Sequence, residues 1–146
     1  MKKPIQILAL AAFVLAGPVS AACVHVPEAN LRKGPGTEHD KSWEVYKYMP
    51  LKQISQQGDW YQVSDLDGDK HWIFRNLLTE KIKCAVVKVN KANIRSGPGT
   101  NFGKTPLDQV EKYYAFKVIG EQGDWVQVED EVGNKGWLHS KLLWRN

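Results

Sequence analysis

Several features that would assign this 146-residue sequence to a functional class are absent from it. No long run of Lys or Arg occurs after residue 22, and acidic residues are interleaved with the basic ones. Nucleic-acid-binding proteins carry clustered positive charge, so the sequence excludes this class of protein. No apolar segment after that residue is long enough to cross a bilayer, which takes about 20 residues in a helix. The remaining composition is that of an ordinary globular protein, with 42% hydrophobic and 25% charged residues.

Catalytic and metal-binding patterns are absent as well. No serine lies in a G-x-S-x-G nucleophile elbow, and the four histidines share no metal-ligand spacing. Residues 65–69, Asp-Leu-Asp-Gly-Asp, resemble the start of a calcium loop. Their glycine is fourth instead of sixth, however, and the twelfth position is Asn76 instead of Glu. We therefore predict a polar hairpin turn at this place, and we predict no catalytic residue, no metal and no cofactor.

The first 22 residues have the pattern of a bacterial secretory signal. Lys2 and Lys3 precede an apolar run at 5–16, and small residues follow as far as Ala22. We expect the segment to be removed by cleavage after Ala21 or Ala22, which would place the protein in the periplasm or outside the cell. Removal leaves 18 basic against 16 acidic residues, so the net charge of +4 belongs in part to the leader.

The only two cysteines, Cys23 and Cys84, occupy nearly matching places, each about one short strand before an Ala-Asn-(Leu/Ile)-Arg segment. In an exported protein, two such thiols are expected to form a disulfide. Two unpaired thiols, or a bridge to another molecule, are the alternatives. A lipidated Cys23 is a less favoured one, because lipoprotein signals usually carry Leu three residues before the cysteine and Ser20 stands there.

An internal repeat organises the chain. ANLRKGPGT at 29–37 returns as ANIRSGPGT at 92–100, which is 63 residues later, and QGDW at 57–60 returns at 122–125, which is 65 residues later. The change of offset indicates a two-residue insertion in the second copy. The two predicted units are residues 24–80 and 84–146, with the joint near 80–83.

The local pattern in both units is that of β-strands. Residues 60–63 and 125–128 alternate between apolar and polar side chains, as half-buried strands do. Each is preceded by a QGD turn and followed by a second turn, Asp67-Gly68 or Gly133-Asn134. No apolar pattern of helical period extends beyond two turns. The predicted fold class is therefore all-β, with two tandem small β-barrels.

The two GPGT segments raise the question of a phosphate-binding loop. Neither copy fits G-x-x-x-x-G-K-(S/T) or G-x-G-x-x-G, and the proline removes one backbone N–H that such a loop would need. We interpret Asn-(Leu/Ile)-Arg as the end of a strand and Gly-Pro-Gly-Thr as the turn after it.

The order N-(L/I)-R-x-G-P-G-T, then GDW, then a tryptophan followed by LL, resembles the bacterial SH3-like domain family of exported proteins. The resemblance covers residues 24–146. It implies two tandem SH3-like β-barrels of five to seven strands each, and a binding or targeting role without catalysis. Members often occur beside cell-wall hydrolases and engage peptidoglycan or its stem peptides. The implied partner is thus peptidoglycan or an envelope protein. The alternatives are a periplasmic interaction or regulatory module without wall affinity, and an accessory to a wall hydrolase.

Aromatic side chains are the candidate ligand-binding residues, because they supply contact area together with a polar group. If the valines of residues 60–63 and 125–128 face the core, the tryptophans that begin both segments are at least partly exposed. Coverage of each tryptophan by its own loop is the alternative. Trp72 and Trp137 are predicted to lie in the core. The candidate residues are Tyr46, Tyr48, Trp60, Tyr113, Tyr114 and Trp125.

Overall fold

The computed structural model describes residues 2–4 and 20–145, so the apolar run of the predicted leader, residues 5–16, lies outside the described residues. Two seven-stranded antiparallel sheets follow one another along the chain. Within the described ranges, helical structure is limited to two 3₁₀ turns, and no helix has the length and hydropathy of a membrane span. The predicted all-β class with two SH3-like units is confirmed.

The first unit contains β1 to β7 in the spatial order β3-β2-β6-β5-β4-β1-β7. Its elements are β1 Ser20–Val24, β2 Glu28–Arg32, β3 Lys41–Tyr46, β4 Pro50–Gln57, β5 Trp60–Ser64, β6 Lys70–Phe74, a 3₁₀ turn Arg75–Leu77 and β7 Leu78–Thr79.

The second unit repeats this order strand by strand, as β10-β9-β13-β12-β11-β8-β14. Its elements are β8 Cys84–Val87, β9 Lys91–Arg95, β10 Lys104–Glu111, β11 Ala115–Gln122, β12 Trp125–Glu129, β13 Lys135–His139, a 3₁₀ turn Ser140–Leu142 and β14 Leu143–Arg145.

The predicted hairpin turns are present in both units. Gly58 and Gly123 join β4 to β5 and β11 to β12 with φ of +58° and +56°, and the turns after β5 and β12 hold Gly68 and Gly133 at +85° and +91°. These left-handed conformations carry no steric penalty for glycine. The glycines therefore fix where each strand ends and its partner begins.

The core of each unit is formed by every second side chain along its strands, because successive side chains point to opposite faces of a sheet. Trp72 lies between His71 and Ile73, both of which are buried, so strand alternation places the tryptophan on the outer face, opposite Gln62. Trp137 is half-buried on the outer face of β13 in the same way. The prediction that these two tryptophans belong to the core is wrong. The largest fully buried side chains include Leu31, Leu51, Val63, Ile73, Ile94, Phe116 and Leu138.

Strand β8 is buried on both faces and joins the two units. Ala85 and Val87 belong to the core of the second unit, whereas Val86, between them, belongs to the core of the first. All four residues of the strand, Cys-Ala-Val-Val, are accordingly buried. A short continuous apolar run is the pattern expected of a strand covered on both sides.

A disulfide between Cys23 in β1 and Cys84 in β8 ties the first strands of the two units together. Both cysteines are fully buried, and their Cα atoms lie 6.1 Å apart. Because its sulfur is bonded to Cys84, Cys23 has no thiol for the thioether of a lipid anchor. The disulfide expected of two exported thiols is thus present in the structure.

The GPGT segments are turns whose polar groups are used within the loop. Arg32, at the end of β2, donates from Nη1 to the carbonyl of His39 at 2.9 Å, and the His39 ring lies over Gly34, where a Cβ would come within 2.4 Å of it. Arg95 and Phe102 repeat the arrangement in the second unit. The motif therefore needs glycine because a ring packs on its backbone, and the arginine holds the loop closed.

The 65–69 segment is the polar hairpin turn that was predicted. The buried Asp65 accepts hydrogen bonds at Oδ1 from the backbone N–H groups of Asp67 and Asp69, each at 3.0 Å. Its Oδ2 accepts from His71 Nε2 at 3.0 Å. Among the described residues, no group of three or more His, Cys, Asp or Glu side chains is placed to hold a metal ion.

Candidate ligand grooves

A groove of about 470 Å³ lies where the two units meet, and we call it the inter-unit groove. Its volume falls within the range of about 300–1,000 Å³ that is usual for ligand sites. The first unit supplies the segment 43–47 and Met49, and the second supplies the segment 111–115 together with Asp130, Glu131 and Val132.

The turn between β10 and β11 crosses from the second unit to the first. Tyr113 has a left-handed backbone, with φ of 72°, and its ring meets Trp43 edge to face with centroids 4.9 Å apart. The Tyr113 hydroxyl donates to Asp67, and Lys112 Nζ lies 2.8 Å from the other oxygen of the same carboxylate. These contacts fix one end of the groove.

The charges of this turn are matched across the interface. The hydrogen bond from Lys112, followed by that from Tyr113, lowers the pKa of Asp67 below its ordinary value. Burial and then the bond to Asp67 raise the pKa of Tyr113 above the ordinary value of a tyrosine. At neutral pH the contact therefore consists of a carboxylate, an ammonium group and a neutral phenol.

The floor of the groove in the second unit is held by a buried carboxylate. Asp130, only 3% exposed, accepts from the backbone N–H groups of Val132 and Asn134 at 3.1 and 2.8 Å. Its Oδ2 accepts from the Asn134 side chain and from the Tyr114 hydroxyl, at 2.8 and 2.9 Å. Burial alone would raise the pKa of Asp130, but the hydrogen bonds from Asn134, Tyr114 and Val132 outweigh it, so the pKa is lowered.

We expect a spectroscopic base titration to show Tyr114 ionising late. Burial, and then the bond to Asp130, raises the pKa of Tyr114 from 10.0 to about 12. Between these values the unfolded chain loses the proton while the folded protein keeps it, so this contribution to stability is lost as pH rises from 10 through 12. Phenolate absorbance of the wild type and of Tyr114→Phe gives the difference curve. A difference curve with its midpoint near pH 10 would contradict the assignment.

Exposed apolar side chains concentrate at the rim of the inter-unit groove. Among the described residues, the exposed large hydrophobic side chains are Tyr46 (56%), Phe102 (40%) and Val132 (82%). Tyr46 and Val132 both line the groove, from opposite units. Val132 stands in the hairpin turn where the first unit has Asp67.

A second groove, of about 600 Å³, lies within the first unit, and we call it the β2–β6 groove. Strands β2 and β6 pair only at Arg32 and Trp72, and the groove extends along β2 from Arg32 to Glu28. Trp60 and Phe74 form one wall, with ring centroids 5.8 Å apart. The other residues around it are Ala29, Asn30, Pro35, Gly36, Thr37, Glu38 and Leu77.

The six aromatic residues predicted from the sequence do not form one site. Tyr46, Tyr113 and Tyr114 meet at the inter-unit groove, whereas Trp60 lies in the β2–β6 groove. Tyr48 and Trp125 line neither groove. The Tyr48 ring lies under the Lys47 ammonium group at 5.3 Å, and the Trp125 ring packs against His139 at 5.4 Å. Trp60 and Trp125 are half-buried, as strand alternation predicts.

The residues of the inter-unit groove that were not identified from the sequence include Trp43 and the exposed Val132. The sequence does contain a sign that Val132 is exposed. The valine stands in a hairpin turn whose other residues are Glu131, Gly133 and Asn134, and a turn of this kind lies at the surface. Trp43 stands opposite Leu31 in the β2–β3 pair, and nothing local shows that its ring meets another unit.

Comparison with known proteins agrees with this architecture. Residues 25–80 match one sequence profile described as "Bacterial SH3 domain", and residues 90–143 match a second profile with the same description. Over 59 residues, the chain is 41% identical to "Putative N-acetylmuramoyl-L-alanine amidase YrvJ" of Bacillus subtilis (strain 168). This alignment covers 40% of the chain and 11% of that protein, so the chain spans about a tenth of the relative's length.

Solved structures are similar at low sequence identity. An NlpC/P60 family protein from Bacillus cereus ATCC 10987 matches at 14% identity with a TM-score of 0.41, over 87% of this chain and 56% of that chain. The CBD of the endolysin LysPBC5 matches at 19% identity with a TM-score of 0.35, over 90% of this chain and 96% of that chain. With two profile matches in tandem, one on each seven-stranded sheet, the chain belongs to the bacterial SH3 domain family and carries two copies of the domain.

Proposed function

We propose that this protein is a non-catalytic, extracytoplasmic binding module of the cell wall, and that the inter-unit groove takes a peptide of peptidoglycan. The observation that carries the proposal is the groove itself, which is lined by Trp43, Tyr113 and Tyr114 and rimmed by the exposed Tyr46 and Val132. Exposed apolar side chains gathered around a concave surface mark a binding site.

The relatives support the cell-wall assignment. The relative that is 41% identical over 59 residues is named "Putative N-acetylmuramoyl-L-alanine amidase YrvJ", and we take the cell-wall compound in that name as a guide to the class of ligand. The disulfide supports an oxidising compartment, because such bonds are rare in proteins of the reducing cytosol. We propose that the N-terminal leader directs export of the chain; residues 20–22, which the sequence pattern assigns to the leader, form part of β1 and pair with β4.

The charges of the inter-unit groove fit a peptide with both amino and carboxyl groups. Lys47 lies along it together with Glu111 and Glu131, whereas Lys112 and Glu44 are paired with Asp67 and Lys41. The aromatic walls supply contact area, and the charges at the rim select among peptides more than they add affinity. Both units contribute, so a single copy of the domain has only half of the site.

The groove is tested by co-sedimentation with purified sacculi. We expect Tyr46→Ala and Val132→Asp to weaken binding by about tenfold each, since removal of a well-packed contact residue costs about 1–2 kcal/mol. Phe102→Ala removes an exposed aromatic ring that lies outside the groove, and it is expected to bind like the wild type.

Two outcomes would contradict the proposal. If the wild type does not co-sediment at low salt, the wall is not the partner, and affinity capture from an envelope extract becomes the search for one. If binding occurs but Tyr46→Ala and Val132→Asp both bind like the wild type, the ligand lies elsewhere. Chemical-shift mapping with muropeptide fragments would then report which aromatic residues respond.

A further inference from the structure

The β2–β6 groove has an apolar wall that suits an aliphatic chain. Trp60 and Phe74 present tilted rings, at 55° to one another, and Leu77 continues the surface. Along the opposite side runs β2, which has left its pairing with β6 beyond Arg32. The groove is therefore an open slot between an aromatic wall and a strand, and a peptide side chain can lie along it.

The rim of this groove is acidic. Glu38 folds back over the GPGT loop, where a Cβ on Gly36 would lie 2.2 Å from its carboxylate oxygen, and Glu28 stands at the other end of the lining. Glu28 also contacts Glu44 on the neighbouring strand, and this second carboxylate raises the pKa of Glu28. Three basic residues lie nearby: Lys41 pairs with Glu44 at 3.0 Å, Arg32 is in the lining and bonds the loop carbonyl of His39, and His39 Nε2 lies 3.6 Å from Glu38.

The second unit offers a natural comparison at the same positions. The residue that folds over the second GPGT loop is Asn101, whose amide oxygen takes the place of the Glu38 carboxylate. Lys91 opens β9 at the position before its Ala-Asn pair, where Glu28 opens β2. His139 replaces Phe74 as the ring beside the strand tryptophan. The two units have the same fold, but only the first has carboxylates at these two positions.

We propose that the β2–β6 groove binds the amine-bearing side chain of a peptide. The methylene groups lie against Trp60 and Phe74, and the negative charge of the rim, from Glu28 at one end and Glu38 at the other, attracts the ammonium group. The tryptophan face adds a cation–π attraction for the same group. This site is separate from the inter-unit groove, and it does not depend on the proposed function.

The test uses two neutral-backbone probes that differ only in the charge of the side chain, N-acetyl-L-lysine methylamide and N-acetyl-L-norleucine methylamide. The indole N–H resonances of Trp60 and Trp125 report the two units in a single sample. At low salt we expect the lysine probe to shift Trp60 with an affinity about tenfold above that of the norleucine probe, and to leave Trp125 unmoved. Equal affinity of the two probes, or an equal response of the two tryptophans, would overturn the proposal.

Two double variants test which residues produce the preference for the lysine probe. Glu28→Gln with Glu38→Gln keeps the shape of both exposed side chains, and we expect it to bring the lysine probe down to the affinity of the norleucine probe. The matched control, Lys91→Glu with Asn101→Glu, changes the same two positions of the second unit, and we expect Trp60 to keep its preference for the lysine probe in it. An unchanged preference in the first variant would overturn the proposal, as would loss of the preference in the control.

Discussion

Replacing Cys23 and Cys84 with alanine is expected to lower the free energy of unfolding by about 4 kcal/mol. The disulfide closes a loop of 61 residues, and the chain-entropy model gives a cross-link of this span about that value, through the conformations it removes from the unfolded chain. Both side chains are fully buried, so the substitution also removes packed sulfur atoms from between the units. Urea unfolding followed by circular dichroism measures the change.

The wild-type protein in reducing buffer is the control for this result. It loses the same covalent bond without any substitution, and its unfolding midpoint should fall close to that of the double alanine variant. The variant itself should not respond to the reducing agent. If reduction leaves the wild-type midpoint unchanged, the bond does not contribute to stability, and the packing of Val86 against the first core holds the units together without it.

Replacing Asp130 with alanine is expected to destabilise the second unit by about 3 kcal/mol. The change removes the common acceptor of the Tyr114 hydroxyl, the Asn134 amide and the N–H groups of Val132 and Asn134, a carboxylate that is itself only 3% exposed. The floor of the inter-unit groove would loosen as well. Exposed Glu131, the next residue, gives the matched control Glu131→Ala, for which we expect a change within about 0.5 kcal/mol.

The same carboxylate gives stability a dependence on acid pH. The pKa of Asp130 is below its ordinary 3.8 in the folded protein, so its contribution is complete above about pH 4 and is lost as pH falls through the folded value. Asp130→Asn keeps the size of the side chain and removes this titration. We expect the stability of the variant to fall less between pH 4 and pH 2 than that of the wild type. Parallel stability curves for the two proteins would contradict the role assigned to this residue.

The strands and turns were predictable because their determinants are local. A valine three residues after a tryptophan, on the opposite face of the strand and downstream of a glycine with positive φ, indicates β5 and β12 from local sequence. The error at Trp72 has a physical origin too. A tryptophan between two strand signals looks like core, but the period of two gives the inward positions to His71 and Ile73, and the tryptophan covers the outside of its barrel.

The composition of the candidate sites was only partly predictable. Tyr46, Tyr113 and Tyr114 were singled out as aromatic residues before a strand, and they do meet in one groove. Trp43 also packs within the first unit, with its ring centroid 6.1 Å from that of His71, so no local pattern shows that Trp43 and Val132 complete the same groove from opposite units. Their role depends on contacts between residues far apart in sequence.

The sequence by itself determined that the chain folds as the same β domain twice, since the alternating strands and glycine turns of each copy are local patterns and the repeat shows them in both copies. Only the tertiary structure decided which aromatic residues share a surface. The burial of β8 on both faces, the Cys23–Cys84 bond and the reach of Tyr113 to Trp43 set one unit against the other. These contacts are non-local, and a local sequence pattern carries no information about the distance between two separately folded sheets.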